Sequence, residues 1–385
     1  MKKLAIIGAS YLQEPLIQKA KELGIETHVF AWACNDVGEK SADYFYPISI
    51  VEKDEILAKC QEIGVDGVCS IASDLAAITV NYVAAKMGLT CNSPECVEVS
   101  TNKHKMRCAF EENGDPSPKS ILVESVDDLQ GIMLKYPVIV KPIDRSGSRG
   151  ITKLLTENGL EQAIETAKEQ GFEKKALVEE FIRGKEYSVE CISWKGTHYL
   201  LALTQKYTTG APNFIETGHL EPAQMSEELL FKVKQVVFHA LDSLKITNGA
   251  SHSELKIAED GTITLIEIGG RMGGDCIGSN LVELSTGIDF VKAVIQVALG
   301  YEPDLTSQHE GGVAAVRYIF SKEDAKVLDD IRHEHPECLV EEYHNGSIEG
   351  KVTDSSTRFG MFLMKAQNYG ELSPYLPKFI GYEGE

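Results

Sequence analysis

Glu254 and Glu267 are spaced to face each other across a β-hairpin. Ser251 to Ala258 alternate polar and apolar, Asp260-Gly261 supplies a two-residue turn, and Thr262 to Ile268 alternate again, the pattern of two strands around a tight loop. With Asp260 and Gly261 as that loop, Glu259 pairs with Thr262, Ala258 with Ile263, Lys256 with Leu265 and Glu254 with Glu267. Directly opposed carboxylates have β-carbons about 5 Å apart, and their repulsion has to be relieved. A divalent cation relieves it, because carboxylates completed by water and phosphate oxygens are how proteins hold Mg²⁺ beside a nucleotide. A solvated edge with one side chain swung away, or a salt bridge to Lys256 or Arg271, relieves it too.

Three further segments carry chemistry. Gly269-Gly270-Arg271-Met272-Gly273-Gly274 sets Arg271 four residues past Glu267 in a loop nearly free of bulk, so a substrate can approach the backbone while the guanidinium clamps a carboxylate or a transferring phosphoryl group. Pro137 to Pro142 reads as a strand ending in Lys141, followed by Arg145-Ser146-Gly147-Ser148-Arg149-Gly150; exposed N–H groups and hydroxyls of such a loop can wrap an anion, although a plain hairpin turn has the same composition. It is not a Walker loop, since no Gly-Lys-Ser/Thr opens a helix. Glu179-Glu180-Phe181-Ile182, then Glu186 after a turn, offers an apolar slot for a purine at Phe181 and Ile182 and an acid for ribose hydroxyls at Glu186. An ordinary hinge with solvated charges is the alternative.

The elements that must position these residues fall into three regions. Strand and helix patterns alternate over the first hundred residues: strand Lys3 to Gly8, helix Leu12 to Leu23, strand Glu26 to Trp32, helix Lys53 to Glu62, strand Gly67 to Ile71, helix Asp74 to Met87 and a short strand Leu89 to Cys91. Such alternation predicts a doubly wound parallel sheet. The first turn, Gly8 to Gln13, lacks the G-x-G-x-x-G spacing, which argues against a dinucleotide site. A helix start near Ser100 to Lys103 opens the second region, in which a helix at Glu161 to Gln170 and strands at Ala176 to Glu180 and Tyr187 to Ser193 make a small α+β lid. A helix from Ser226 to Leu244, the acidic hairpin and a helix from Phe290 to Leu299 follow, and the last unit has strands at Gly312 to Ile319 and Arg358 to Lys365. The expected divisions are 1–99, 100–300 with a lid near 120–186, and 301–385.

The 385 residues, 43% hydrophobic and 25% charged, suit a globular chain with more than one domain. No apolar stretch reaches a membrane span of about 20 residues, and the start reads as a first strand rather than a signal peptide. Nine cysteines without a C-x-x-C pair read as reduced thiols, which points to the cytoplasm. The net charge of −20 opposes a nucleic-acid partner, so local lysines must gather any anionic substrate.

Taken in order, a lysine at a helix start, Val-Lys-Pro before a Gly/Ser loop, Glu-x-Phe-Ile-x-Gly-x-Glu, and two glutamates ahead of Ile-Gly-Gly-Arg resemble the ATP-grasp superfamily, in the branch of biotin carboxylase, carbamoyl phosphate synthetase and L-amino acid ligases. The resemblance covers essentially the whole chain. It implies an α/β and α+β architecture: an N-terminal doubly wound, Rossmann-like pre-ATP-grasp domain, an ATP-grasp lid and core, and a small C-terminal α+β domain. It further implies that Lys103 and Lys141 contact ATP phosphates, that Gly147, Ser148 and Gly150 belong to the phosphate loop, that Glu179, Phe181 and Ile182 lie at adenine and Glu186 at ribose, and that Glu254 and Glu267 bridge Mg²⁺, with Mn²⁺ as the alternative ion. Many members carry an asparagine two residues after the second acid, where this chain has Gly269, so a third side-chain metal ligand is not implied. Ile-Gly-Gly-Arg is closer to amino acid ligases, and Thr208 to Pro222 resembles their substrate segment, with His219 orienting an acyl phosphate or incoming amine. The implied activity joins a carboxylate to an amine through an acyl phosphate, releasing ADP and phosphate, with Lys141, Arg271 and His219 as catalytic residues and a homodimer as the family's assembly. A bicarbonate-activating carboxylase and a non-catalytic nucleotide-binding regulator are the alternatives; a nicotinamide-dependent dehydrogenase is the weakest, for want of the glycines.

Overall fold

The computed structural model describes residues 1–145, 147, 149–211 and 214–378. Strands β1 (Lys3–Ile7), β2 (Glu26–Phe30), β3 (Tyr44–Tyr46) and β4 (Gly67–Cys69) form a parallel sheet in the order β3-β2-β1-β4. Leu4 to Ile7 are all fully buried, the continuous apolar run of a strand covered on both faces. Helix Asp74–Met87 starts where its signals place it: Ser73 Oγ accepts from the Ala76 N–H at 3.2 Å, and Gly88 ends it in the left-handed region. This start presents Asp74 toward the rest of the molecule. Leu89 to Cys91, expected as a short strand, is irregular; the Asn92 side chain ties the segment to Thr247 and Asn248 instead.

The lid is a second sheet. β5 (Ser120–Val123), β6 (Val138–Pro142), β7 (Thr152–Leu154) and β8 (Ala176–Glu180) run antiparallel in the order β5-β8-β6-β7, and helix Leu160–Gln170 packs Leu160, Ile164 and Ala167 against Val138, Val140 and Val178.

The third sheet has eight strands: β9 (Lys185–Trp194), β10 (Thr197–Thr208), β11 (Glu216–Glu221), β12 (Gly249–Ile257), β13 (Ile263–Gly269), β14 (Val313–Ile319), β15 (Leu339–His344) and β16 (Gly360–Ala366), ordered β13-β12-β9-β10-β11-β14-β16-β15. Two expectations change here. β9, read as part of the lid, pairs with β10 and β12 instead, because its buried, uninterrupted run from Tyr187 to Ser193 suits a central strand. The strands beyond residue 300 extend this same sheet through the β11–β14 pairing. Helix Glu227–Ser243 covers the β12–β13 end with Val233, Val237 and Leu241 against Leu255, Leu265 and Ile268, each such burial contributing about 1.5–3 kcal/mol. That packing fixes which face of the hairpin is left for chemistry.

Candidate active site

Glu254 and Glu267 are register partners, reached by two irregularities that cancel. The turn is a three-residue loop: Ala258 N–H donates to Thr262 O and Gly261 N–H to Ala258 O, both at 3.0 Å, with Gly261 at φ +84°. That geometry, a type I turn closed by a left-handed glycine, pairs Ile257 with Ile263 and Leu255 with Leu265, one residue off the expected register. A bulge between Glu254 and Leu255 restores it. The extra residue is Ile266, whose carbonyl accepts from Arg107 Nη2 at 2.6 Å, while Leu265 N–H donates to Pro116 O at 2.7 Å. The sheet edge is therefore paired where it would otherwise be bare.

Each acid holds a buried lysine. Lys103 Nζ lies 2.7 Å from Glu267 Oε1 and donates to Arg145 O at 2.8 Å, and Lys206 Nζ lies 2.7 Å from Glu254 Oε1 with Glu186 at 3.2 Å and Glu216 at 3.7 Å. Burial opposes the charge on Lys206, but the three carboxylates more than offset it and hold the ammonium well above its usual range. Glu254 is likewise raised by burial yet held well below the ordinary carboxylate range, first by Lys206 and then by His252. His252 bridges Glu254, at 3.4 Å, and the fully buried Glu190, whose second oxygen accepts from Gly273 N–H at 2.9 Å. Among the described residues no group of three or more His, Cys, Asp or Glu side chains is arranged to hold a metal. Two opposed carboxylates already drawing two cations are nonetheless the donor set of a hard divalent ion that takes its other ligands from water and phosphate, so Glu254 and Glu267 fit Mg²⁺.

Arg271 is gripped by Asp74 of the N-terminal sheet region, Nε to Oδ1 at 2.8 Å and Nη2 to Oδ2 at 3.1 Å. Gly269 makes that pair fit. A Cβ at 269 would lie 2.8 Å from Asp74 Oδ1 and 3.2 Å from Arg271 Nε, so an asparagine there would have to displace the side chains of that pair.

On the lid side, Lys141 Nζ is 2.6 Å from Glu179 Oε2, and Arg107 Nε is 2.9 Å from Glu179 Oε1. The Glu179 carboxylate is thus bound by two cations, which hold it low against its burial, and it stands on the wall of the cavity where the resemblance implied an adenine contact. Phe181, Ile182 and Glu186 line the same cavity as Lys103, Lys141, Gly147, Glu254, Glu267 and Arg271. Lys153 and Lys256 sit over the Phe181 ring at 3.9 and 5.0 Å from its centroid. Glu186, expected at the ribose, pairs with Lys206. Gly147, φ +73°, is on the cavity wall, whereas Gly150 packs toward Gln170 and Pro142. Ser148 lies outside the described residues.

His219 is not on the wall of this cavity. It is fully buried in β11, opposite Lys206 of β10, its ring edge-on to Tyr318 with centroids 5.9 Å apart and neither nitrogen hydrogen-bonded. Burial first, then Lys206, holds it well below the usual imidazole range, and no cavity-facing position is seen for the residue expected to orient the substrate. Residues that the sequence reading passed over are Asp74, Arg107, Glu190, Lys206, Glu216 and His252. Only Lys206 carried a signal: a lysine inside the strand pattern Leu200 to Tyr207, at a position that proves buried.

Residues 134–279, the segment that carries Lys141, Arg271 and the paired acids, match the ATP-grasp domain family. Alanine–anticapsin ligase of Bacillus subtilis (strain 168) is 27% identical over 307 residues, covering 70% of this chain and 64% of that protein, so the match spans less than two thirds of the relative's length. The L-amino acid ligase of Bacillus licheniformis superposes with a TM-score of 0.83 at 24% identity, over 97% of this chain and 96% of that one. The biotin carboxylase domain dimer of the Hydrogenobacter thermophilus 2-oxoglutarate carboxylase, in complex with MgADP, ADP and bicarbonate, does so with 0.74 at 18% identity, over 95% and 86%.

Proposed function

We propose that this chain is an ATP-dependent carboxylate–amine ligase that phosphorylates a substrate carboxylate and lets an amine displace the phosphate. One observation carries the reading: Lys103, Lys141, Lys206 and Arg271 converge with Glu254 and Glu267 on one cavity between lid and core, in a chain of net charge −20. Cations gathered against such a charge serve a bound polyanion and the charge developing in phosphoryl transfer. Glu254 and Glu267 would hold Mg²⁺, which when bound offsets phosphate charge. Lys103 and Lys206, now on those acids, then have the phosphates as alternative partners, Arg271 clamps the carboxylate, and closure of the lid keeps water from the acyl phosphate. The similarity to alanine–anticapsin ligase and to an L-amino acid ligase supports amino acids or related carboxylates as substrates.

The test is ADP release with Mg-ATP against single and paired amino acids, with and without bicarbonate. Release that needs a carboxylate and an amine together is expected; stimulation by bicarbonate alone, or ATP binding without ADP formation, overturns the ligase reading. The reading includes the three-part division at about residues 100 and 300 and a homodimer in the cytoplasm, supported by the dimer in the biotin carboxylase relative and by nine free cysteines. No described helix is long and apolar enough to cross a membrane. Sedimentation at micromolar concentration checks the dimer.

A further inference from the structure

The ligation half-reaction needs a group that takes a proton from the substrate ammonium, because only the neutral amine has a lone pair to attack with. The cavity holds a carboxylate built for this. Glu216, on the wall beside Lys206 and Glu254, has its two oxygens treated differently. Oε2 accepts from Arg358 Nη2 at 3.1 Å and from Ser355 Oγ at 3.2 Å. Oε1 has Lys206 at 3.7 Å, beyond hydrogen-bond length, as its ion-pair partner among the described residues. The holder is itself fixed: Arg358 is 7% exposed, with Nη1 2.9 Å from Asp275 Oδ2 and its guanidinium carbon 3.7 Å from the Tyr318 ring centroid. Asp275 and Cys276 carry φ of +51° and +64° without being glycine, backbone strain of the kind that the surroundings must enforce. Burial, then Asp275, raise the Glu216 carboxyl against the opposing pull of Lys206 and Arg358, in the direction a general base near neutrality requires.

Resting on the ligase reading above, we propose that Glu216 is the catalytic base of amide formation, with Arg358 and Ser355 as its positioning residues. Oε1 takes one proton from the substrate ammonium. The freed lone pair forms the C–N bond to the acyl carbon, the C–O bond to phosphorus-bound oxygen breaks, and its electron pair leaves with phosphate, which takes the second proton from nitrogen. Glu216 then returns its proton to solvent.

Hydroxylamine, a nucleophile largely neutral near pH 7, separates this role from a structural one, since it traps the acyl phosphate as a hydroxamate without a base. Glu216→Gln is expected to lose amide formation by about 10²–10³-fold while hydroxamate formation falls less than about tenfold. Ser355→Ala, which removes one donor from Oε2, is expected to lower the amine-dependent rate severalfold and the hydroxamate rate less. Equal loss of both products in both variants makes the cluster structural and overturns the proposal, as does amide formation within a few-fold of wild type in Glu216→Gln. Wild-type protein that forms neither hydroxamate nor ADP with any carboxylate overturns the ligase reading instead.

Discussion

Arg271 and Asp74 join fork to fork, Nε to Oδ1 at 2.8 Å and Nη2 to Oδ2 at 3.1 Å, so the residue expected to clamp the substrate is aimed by the first helix turn of a different region. Asp74 opens helix Asp74–Met87, where the helix dipole favours its charge, and Arg271 holds the carboxyl low against its burial. With side chains 15% and 21% exposed, the pair is shielded enough for its loss to matter. Asp74→Ala should cost about 2 kcal/mol of stability and should raise KM for the carboxylate substrate more than for ATP. Denaturant midpoints and paired KM measurements check this; unchanged stability would mean that Arg271 finds another partner.

Gly269→Asn adds an oxygen donor two residues past Glu267 and should nonetheless impair this protein. The new Cβ would press on Asp74 Oδ1 and the Arg271 guanidinium, an overpacking expected to cost about 1–3 kcal/mol. Turnover should fall with no gain in Mg²⁺ affinity. Tighter Mg²⁺ binding with intact turnover would show that the pocket opens to accept a third ligand.

The legible part of this molecule is the part encoded by local pattern. The helix expected near Asp74 to Met87 forms there, with Ser73 and Gly88 as its caps. Glu254 and Glu267 were paired correctly although the turn was not: alternation fixes which face each acid takes, and a register error of one residue would have buried an apolar face in the site, so the bulge at Ile266 is what folding had to supply. Charge partners were illegible. Lys206 reaches Glu254 across 48 residues and Arg358 reaches Glu216 across 142, distances over which spacing carries no information. His219 shows the converse hazard, since a histidine in a polar-looking segment became a fully buried side chain once that segment formed β11 between two other strands.

Lys206 is the sole cation within reach of Glu186, Glu216 and Glu254 together, among the ion pairs of the described residues. Lys206→Met keeps the aliphatic bulk and leaves three carboxylates facing one another. The variant should be destabilised without metal, and Mg²⁺ should raise its melting temperature by more than it raises that of the wild type, because the ion then supplies the missing charge at Glu254. ADP release should fall by about 10²–10³-fold, the cost of losing one preorganised cation at a charge-developing centre. Identical Mg²⁺-dependent melting shifts in the two proteins would show that the lysine and the ion do not share Glu254.

Glu221 gives a pH prediction away from Glu254 and Glu267. Fully buried, it accepts from Thr204 Oγ1 at 2.5 Å and Ser285 Oγ at 2.8 Å, and burial pushes its carboxyl up to about 8, the two hydroxyls offsetting only part of that. An unfolded glutamate titrates near 4.3. The folded-state value lies above the unfolded one, so the stabilisation from the protonated form is complete below about pH 4.3 and is lost as pH rises toward 8, at roughly 1.4 kcal/mol per unit at most. Glu221→Gln keeps a neutral side chain at every pH and should therefore gain on the wild type steadily from pH 5 to pH 8. Urea unfolding of both proteins at pH 5, 6.5 and 8 reads the difference directly: a gap that widens by a few kcal/mol is expected, and parallel pH curves would mean that Glu221 is ionised throughout, with its charge carried by Thr204 and Ser285 alone.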